Sequence, residues 1–386
     1  MAHSSERSTD GPPPPSPPGI LAVIGAGTMG AGIAQVALEA GWSVRLHDPD
    51  RGALNRGRAR IADGLSRRAV RRSMTAAETA TSIDAHLVRL TEADDLAEAT
   101  RGADLVIEAI FEDLDAKRVL FSAMDAVCPP GTILATNTSA LSVEAIAKAA
   151  ARHPERVLGL HFFNPAPVML LVEVIAPAGV SAAVVDRATD AIRGWGRTPV
   201  RSIDSPGFIV NRVNRPFTIE ALRMLEIGEA RVGEIDAALR TDGFPMGPFE
   251  LMDLVGLDVN LAAAKGVWEG LGRPDRLRPS PIQEWLVKSG RLGRKTGVGF
   301  YRYNAGRDPV PDPLPPDVAP TARGRRELPE TDIVGRIRAS LLDEAILVRD
   351  AGVATEADID MALWLGAGHP EGPFAWRRRH DLTIGS

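Results

Sequence analysis

The apolar segment GLHFFNPAPVMLLVEVI (159–175) contains one histidine, His161, and one glutamate, Glu173. Each side chain costs free energy to bury unless it has a partner, so two of them in one apolar segment indicate a shared purpose. If the chain reverses at NPAP, near Pro167, the flanking strands pair antiparallel and His161 faces Glu173, with Cβ atoms about 5 Å apart. The carboxylate would then accept the Nδ1–H and leave Nε2 free as a general base. A purely structural His–Glu hydrogen bond is the alternative.

A glycine-rich turn, GAGTMG (25–30), follows the apolar run ILAVI and precedes a helix of small residues that ends at Gly41. A second strand, WSVRLHD, comes next, and strand, helix and strand within about 30 residues predict a βαβ unit of a parallel sheet. The three glycines allow a tight turn, close approach of the backbone to a pyrophosphate, and close helix packing. The helix N-terminus offers free N–H groups to the phosphates. The predicted cofactor-binding residues of this turn are Gly25, Gly27, Thr28, Met29 and Gly30.

Asp48 closes the second strand, about 20 residues after the glycine turn, and indicates which dinucleotide binds. Its carboxylate can accept hydrogen bonds from the ribose hydroxyls of NAD and would repel the additional phosphate of NADP. Arg51 lies close enough in sequence to keep NADP open, but NAD is the predicted cofactor. A histidine held by a carboxylate beside a nicotinamide suits alcohol oxidation, because the base takes the hydroxyl proton while hydride leaves the carbon.

Composition excludes several classes of protein. The 386 residues carry a net charge of −5, which gives no support for nucleic acid or a membrane surface as a partner. No apolar run approaches the roughly 20 residues of a membrane span, and the polar, proline-rich start lacks the apolar core of a secretion signal. A single cysteine, Cys128, excludes an internal disulfide and predicts a reducing, cytoplasmic compartment. No metal site is predicted.

The order of segments predicts an α/β Rossmann-type N-terminal domain followed by an all-α C-terminal domain with an internal duplication. Residues 51–100 are expected to form long helical segments, and strands are expected to cease near residue 203. Buried strands are expected within 104–110, 132–138, 156–164 and 169–175. The predicted divisions are a disordered proline-rich tail (1–18), an NAD-binding Rossmann domain (19–203), a helical domain (204–304), a linker (305–330) and a second, partial copy of the helical domain (331–386).

An internal repeat lies across the predicted linker. Residues 220–251 resemble residues 344–376, and GPF ends the shared pattern in both copies. Only two copies exist, so the repeat is a duplicated helical unit and not a solenoid. The second copy has Gly335 where the first has Asn211, and it is therefore predicted to be structural. Two arrangements stay open: a homodimer through the helical domain, or a single chain whose second copy imitates that dimer contact.

The chain contains seven motifs in one order: GAGTMG, NTSAL (137–141), HFFNP (161–165), LVEVI (171–175), DSPGFIVNR (204–212), PMGPFEL (245–251) and GRKTGVGFY (293–301). Together they resemble the L-3-hydroxyacyl-CoA dehydrogenase family over about residues 19–303 and, through the repeat, 331–376. The resemblance implies that His161 is the catalytic base and that Glu173 orients it. These are the two residues that the strand pairing brings together.

The same resemblance implies further contacts. Ser139 and Asn211 would hydrogen-bond the reacting region of the substrate and hold the developing charge. The alternatives are that Ser139 caps the following helix, for which Ser142 is better placed, and that Asn211 is an ordinary polar position. The other residues implied are Asn137, Glu112 and Lys117 near the cofactor and Asn164 near the substrate.

Two of these implied sites have simple alternatives. Glu112 and Lys117, five positions apart, could form a solvated helix face. SRRAVRRS (66–73) lies where the family has a helical arm that contacts coenzyme A, and its four arginines suit phosphate groups, which arginine binds bidentately. In so arginine-rich a chain, they could equally form a solvated face.

The implied function is the reversible, NAD-dependent oxidation of an L-3-hydroxyacyl-CoA to the 3-ketoacyl-CoA, with the acyl-CoA as partner. Two alternatives stay open: a dehydrogenase of a hydroxy acid without coenzyme A, such as a sugar acid, and an inactive relative that binds NAD. Phe162 and Phe163 count against the first, because relatives of that kind lack the HFFNP form. The complete set of four catalytic side chains counts against the second. Acyl chain length and pathway stay undetermined.

Overall fold

The computed structural model describes residues 18–304, 306–315, 318 and 328–384. Except for Pro18, the predicted proline-rich tail lies outside these ranges. An eight-stranded sheet forms the N-terminal part of the described chain. Its strands are β1 (Ile20–Ile24), β2 (Ser43–His47), β3 (Leu90–Glu92), β4 (Leu105–Glu108), β5 (Ile133–Thr136), β6 (Val157–Phe162), β7 (Leu171–Ala176) and β8 (Thr198–Ile203). The spatial order is β3-β2-β1-β4-β5-β6-β7-β8, and only the β6–β7 pair is antiparallel in this sheet.

Helices cover both faces of this sheet. They are α1 (Thr28–Glu39), α2 (Arg51–Arg71), α3 (Ala76–Leu87), α4 (Leu96–Thr100), α5 (Leu114–Val127), α6 (Val143–Ala147) and α7 (Ala182–Gly194). Leu21 and Val23 of β1 pack in the core that contains α1, whereas Ala22 and Ile24 pack in the core that contains α5 and α6. Burial on both faces explains why the strands are continuous apolar runs. The predicted Rossmann-type fold class is confirmed.

The prediction for residues 51–100 was wrong in one respect. Helices α2, α3 and α4 fill most of this segment, but β3 lies between α3 and α4 and pairs with β2. This edge strand has three residues, of which Leu90 is buried and Thr91 is exposed. Such a short, largely polar strand has no apolar periodicity, so its pairing depends on the neighbouring strand.

The described chain beyond β8 is mostly helical. Its first part contains α8 (Val210–Val213), α9 (Arg215–Glu226), α10 (Val232–Thr241), α11 (Pro248–Val255), α12 (Leu257–Gly270) and α13 (Pro281–Lys288). A short hairpin of β9 (Tyr301–Arg302) and β10 (Val310–Pro311) follows. The segment predicted as a linker therefore begins with a paired strand. The last part of the described chain contains α14 (Glu330–Asp350), α15 (Glu356–Ala367) and α16 (Pro373–Ile384).

The internal repeat has a structural basis in two equivalent aspartates. Asp236 accepts hydrogen bonds of 3.0 and 3.1 Å from the two N–H groups that follow Pro248. Asp360 accepts hydrogen bonds of 2.8 and 2.9 Å from the two N–H groups that follow Pro373. A Cβ on the glycine of either GPF would approach the aspartate within 2.1 or 2.3 Å, so neither position admits a side chain. Both copies therefore keep Asp and GPF because together they cap α11 or α16.

The two copies pack against each other through equivalent helices. By the repeat, α9 corresponds to the second half of α14, and these two helices are in contact. Leu222 of α9 shares a hydrophobic core with Ile337 and Leu341 of α14. Arg336 of α14 forms a 2.5 Å ion pair with Glu220 of α9. The second copy therefore covers a face of the first copy within one chain.

None of the helices in the described ranges combines the length and apolar character required to cross a membrane. Over the same part of the chain, no group of three or more His, Cys, Asp or Glu side chains is arranged to hold a metal ion.

Candidate active site

His161 and Glu173 meet across the antiparallel strands β6 and β7. They are direct partners in the strand register, and Nδ1 of His161 lies 2.6 Å from Oε2 of Glu173. The predicted pairing is confirmed. The connection between the strands covers residues 163–170, which is longer than the predicted NPAP turn, but it has the same centre and therefore gives the same register.

The Glu173 carboxylate is fully buried and its second oxygen is also bonded. Oε1 accepts hydrogen bonds from the backbone N–H groups of Ile209, at 3.0 Å, and Val210, at 2.9 Å. Three donors therefore converge on one carboxylate, which satisfies a buried charge that would otherwise be costly. Nδ1 of His161 therefore carries the ring proton, because an ionised carboxylate can accept a hydrogen bond but cannot donate one. Nε2 then carries the free lone pair.

His161 borders a cavity of about 690 Å³ between the sheet domain and the helices that follow it. Its Nε2 bonds to no described group, and the centroid of the Phe163 ring lies 4.4 Å from the centroid of the imidazole. The cavity is therefore the space that this nitrogen can serve. Nine of the predicted site residues line it: Gly27, Thr28, Met29, Glu112, Asn137, Ser139, His161, Asn164 and Asn211.

A network around Glu112 holds the loop that carries Ser139. Oε1 of Glu112 accepts hydrogen bonds from the hydroxyl of Thr138, at 2.6 Å, and from the backbone N–H of Ser139, at 2.9 Å. Burial opposes ionisation of Glu112, but the bonds from Thr138 and Lys117 outweigh it and lower the pKa of the carboxyl. The Ser139 carbonyl in turn accepts from the Asn211 amide at 3.1 Å. Ser142 caps α6, so Ser139 is not needed there.

Lys117 lies beneath this network and not on a solvated face. Only 1% of its side chain is exposed, and Nζ lies 2.5 Å from Glu108 and 3.4 Å from Glu112. Glu108 is fully buried and also accepts from Thr136 at 2.7 Å. The interpretation of Lys117 as part of a solvated helix face is therefore wrong.

The glycine turn has the shape that a dinucleotide requires. Gly25 adopts φ +108°, and a Cβ there would lie 2.6 Å from the Ala109 carbonyl oxygen. A Cβ on Gly30 would lie 1.8 Å from the Gly25 carbonyl oxygen, so α1 and β1 require glycine at this contact. A Cβ on Gly27 would meet nothing within 4 Å, so the backbone here is open to a ligand. The turn lies at the reversal of strand order between β1 and β4, where such folds bind ligands.

Asp48 lies beside this turn with a fixed carboxylate. Its oxygens accept hydrogen bonds of 2.9 Å from the N–H groups of Ala26 and Asp50. Arg51, which kept NADP open as an alternative, pairs with Asp94 at 2.5 Å. The residues present fit NAD: an open backbone for the pyrophosphate, and a carboxylate at the end of β2 for the ribose.

The arginine-rich end of α2 borders a second cavity, of about 260 Å³. Arg60, Arg67 and Arg71 line it and form no ion pair with a described carboxylate, whereas Arg68 pairs with Glu39 at 3.2 Å. Thr28 and Asn164 line both cavities, so the second cavity adjoins the first.

Several residues of the main cavity were not found from the sequence. Asn214 and Arg215 line it from the junction of α8 and α9, and Gly366 and Ala367 line it from the second copy. Arg215 follows Asn211 by four residues, but the two lie on separate helices, so helical spacing in the sequence does not indicate the arginine. Nothing in the sequence indicates that α15 reaches the cavity.

Gly366 brings the second copy close to the His–Glu pair. A Cβ at this position would lie 2.5 Å from Leu171 and 3.0 Å from Val210. Val210 donates its N–H to Glu173, so α15 packs directly behind the residues that hold the carboxylate. The predicted structural role of the second copy therefore includes a wall of the cavity.

Comparison with known proteins agrees with the fold. The chain is 39% identical to 3-hydroxyadipyl-CoA dehydrogenase of Escherichia coli K12, over 92% of this chain and 90% of the relative. It is 40% identical to the human mitochondrial hydroxyacyl-coenzyme A dehydrogenase, over 73% of this chain and 90% of the relative. The crystal structure of 3-hydroxybutyryl-CoA dehydrogenase from Escherichia coli K12 superposes with a TM-score of 0.83, at 37% identity, covering 94% of this chain and 91% of that one.

Two family models cover most of the chain. The model for the NAD binding domain of 3-hydroxyacyl-CoA dehydrogenase matches residues 20–205. The model for the C-terminal domain matches twice, at residues 207–303 and 333–386, which agrees with the duplication. This chain therefore belongs to the 3-hydroxyacyl-CoA dehydrogenase family and has the NAD-binding domain of that family.

Proposed function

We propose that the chain oxidises L-3-hydroxyacyl-CoA esters reversibly to 3-ketoacyl-CoA esters with NAD, and that His161 is the base. The observation that carries the proposal is the His161–Glu173 pair, whose free Nε2 borders the cavity shared with the glycine turn. NAD, when bound, accepts the hydride that leaves the carbon of the alcohol. His161 takes the hydroxyl proton at Nε2, and Glu173 stabilises the imidazolium that results.

Ser139 and Asn211 are proposed to hold the substrate oxygen. Both side chains border the cavity near His161, and Glu112 fixes the Ser139 loop. The Asn211 amide has one N–H engaged with the Ser139 carbonyl and a second available to a ligand. Donors fixed before the reaction stabilise charge on the oxygen without reorganisation, which favours the transition state.

The arginines of the second cavity are proposed to bind the phosphates of coenzyme A. Arg60, Arg67 and Arg71 leave their charge unpaired by described carboxylates, and the cavity adjoins the site of the acyl group. Arginine is suited to phosphate because its donors match the oxygens in pairs. This placement also counts against a substrate without coenzyme A.

The function is tested by following NADH consumption with a panel of 3-ketoacyl-CoA esters, repeated with NADPH. Sugar acids, which are alcohols, are tested in the oxidising direction by following NADH formation from NAD. We expect turnover of the CoA esters with NADH and little with NADPH, because the Asp48 carboxylate repels the additional phosphate. Turnover of sugar acids alone would favour the first alternative. Binding of NADH without turnover of any substrate would favour the inactive relative.

We further propose that the second helical copy makes, within one chain, the contact that the helical domains of two chains would make in a homodimer. One supporting observation is the packing of α9 against α14. A second is that Glu344 of α14 forms ion pairs at 2.7 Å with Arg212 of α8 and with Arg276. This favours the pseudo-dimeric chain over a homodimer through the helical domain. Light scattering on the purified protein is expected to give a mass near 41.1 kDa. A stable species of twice that mass would contradict it.

The domain divisions and the location are also proposals. The strands of the eight-stranded sheet end at Ile203 and the second copy begins with α14, which supports boundaries near 203 and 330. Limited proteolysis tests them, since cleavage is expected between the units and not within them. The free, buried Cys128 is consistent with a reducing, cytoplasmic compartment, which cell fractionation would check.

A further inference from the structure

Arg215 is a buried cation at the wall of the main cavity, and no carboxylate of the described residues pairs with it. Only 7% of the residue is exposed. Its guanidinium donates to two backbone carbonyls, of Asn211 at 2.9 Å and of Asn260 at 3.4 Å, and to no other described group. Nη2 has no described partner and is not fully enclosed. A buried arginine that keeps donors free toward a cavity indicates an anionic ligand.

Two other buried arginines of this chain have the carboxylate partner that Arg215 lacks among the described residues, whereas the equally buried Arg197 also has no ion pair with a described carboxylate. Arg156 pairs with Asp125 at 2.8 Å, and Arg212 pairs with Glu344 at 2.7 Å. Each of these charges is compensated inside the protein, as buried charges usually are. Burial alone lowers the pKa of Arg215 to about 10, so the side chain stays protonated at neutral pH and its charge is uncompensated.

A second donor lies beside this guanidinium. Asn214 also lines the cavity, and its side-chain carbonyl lies 2.8 Å from Nε2 of His369, in the second copy. Burial and the nearby Arg338 lower the pKa of His369 to about 3, so the imidazole is neutral and Nε2 donates one proton. The Asn214 carbonyl is therefore engaged, which leaves its NH₂ group free to donate beside Arg215.

The surroundings of Arg215 place the anion at the acyl end of the substrate. Arg215 begins α9, four residues after Asn211 of α8, and its Nε donates to the Asn211 carbonyl at 2.9 Å. Both residues line the same cavity as His161. The part of the cavity lining that α11 and α12 contribute includes the apolar residues Leu251, Val255 and Val259. Such a lining suits a chain of methylene groups that ends in one charged group.

We propose that Arg215, with Asn214, binds the free carboxylate of a dicarboxylic acyl chain, so that the preferred substrates are CoA monothioesters of short 3-hydroxy dicarboxylic acids. This inference rests on the proposed function and names its substrate class. Arg215 selects the substrate and takes no part in proton transfer. The other anion that the substrate carries is phosphate, at the coenzyme A end, and the test separates the two.

The experiment compares two substrates that differ at the far end of a six-carbon chain: the CoA monothioester of 3-hydroxyadipic acid, which ends in a carboxylate, and 3-hydroxyhexanoyl-CoA, which ends in a methyl group. We expect wild-type kcat/KM to be about 100-fold higher for the acid-ended ester, because a methyl end leaves the buried guanidinium unpaired. Equal values, or a preference for the methyl-ended ester, would overturn the proposal. Turnover of neither ester would overturn the proposed function instead.

The variant Arg215→Met then tests the residue itself. Methionine has similar length and no charge, so it fits an apolar cavity wall. We expect it to lower kcat/KM for the acid-ended ester about 100-fold, mainly through KM, and to leave the methyl-ended ester almost unchanged. Arg215→Lys keeps the charge and is expected to retain part of the preference. An equal loss for both esters would contradict the proposal, because it is the result expected if Arg215 holds coenzyme A phosphate or only the fold.

Discussion

Replacing His161 with glutamine is expected to lower kcat by at least about 10³-fold while NADH binds with unchanged affinity. General bases contribute about 10²–10⁴-fold, and here no other described side chain in the cavity combines a free lone pair with a carboxylate behind it. The glutamine amide cannot accept a proton at neutral pH. The glycine turn and Asp48 are untouched, so NADH fluorescence titration should give the wild-type Kd.

His153 offers a matched control for this substitution. Its Nδ1 lies 3.1 Å from Glu155, so it is also a histidine beside a carboxylate, but it is partly exposed and does not line the cavity. His153→Gln is expected to keep wild-type kcat and KM. Near-normal turnover in His161→Gln, or an equal loss in His153→Gln, would show that the role given to His161 is wrong.

The strand pairing of this site could be predicted because its determinants are local. An antiparallel register follows from the centre of the turn, and the side-chain period of two then places His161 opposite Glu173 even though the turn is longer than expected. The glycine turn could also be predicted, because its motif lies between a strand and a helix that are adjacent in sequence. Only part of the steric reason is local: a Cβ on Gly30 would clash with the nearby Gly25, whereas a Cβ on Gly25 would clash with the distant Ala109.

Other parts of the site depend on contacts between distant segments, which no period or spacing in the sequence encodes. β3 becomes a strand through its neighbour β2. Lys117 looks like a surface residue in sequence, but it is buried because Glu108, on another element, supplies its partner. The approach of Gly366 to Val210 joins residues 156 positions apart. Arg215 has a sequence position that is ordinary for a helix, and only the structure shows that it borders the cavity with no described carboxylate beside it.

Glu173 determines which ring nitrogen of His161 carries the proton, because the two carboxylate oxygens accept hydrogen bonds from three donors. Its Oε1 faces two backbone N–H groups, of Ile209 and Val210, and its Oε2 faces one imidazole N–H. Glutamine has the same shape but offers one carbonyl oxygen and one NH₂ group. Two fixed N–H donors outweigh one, so in Glu173→Gln the carbonyl remains with the backbone and the NH₂ turns toward His161. Nδ1 must then accept, and the imidazole proton moves to Nε2.

Glu173→Gln is therefore expected to lower kcat by about 10³-fold or more, with a smaller change in KM, because Nε2 loses the lone pair that takes the hydroxyl proton. The loss of carboxylate charge also removes the stabilisation of the imidazolium. Nitrogen NMR of His161 checks the cause directly: the wild-type protein should show the proton on Nδ1 and the variant should show it on Nε2. A folded variant with the wild-type tautomer and the wild-type kcat would mean that Glu173 only packs against His161 and does not position it.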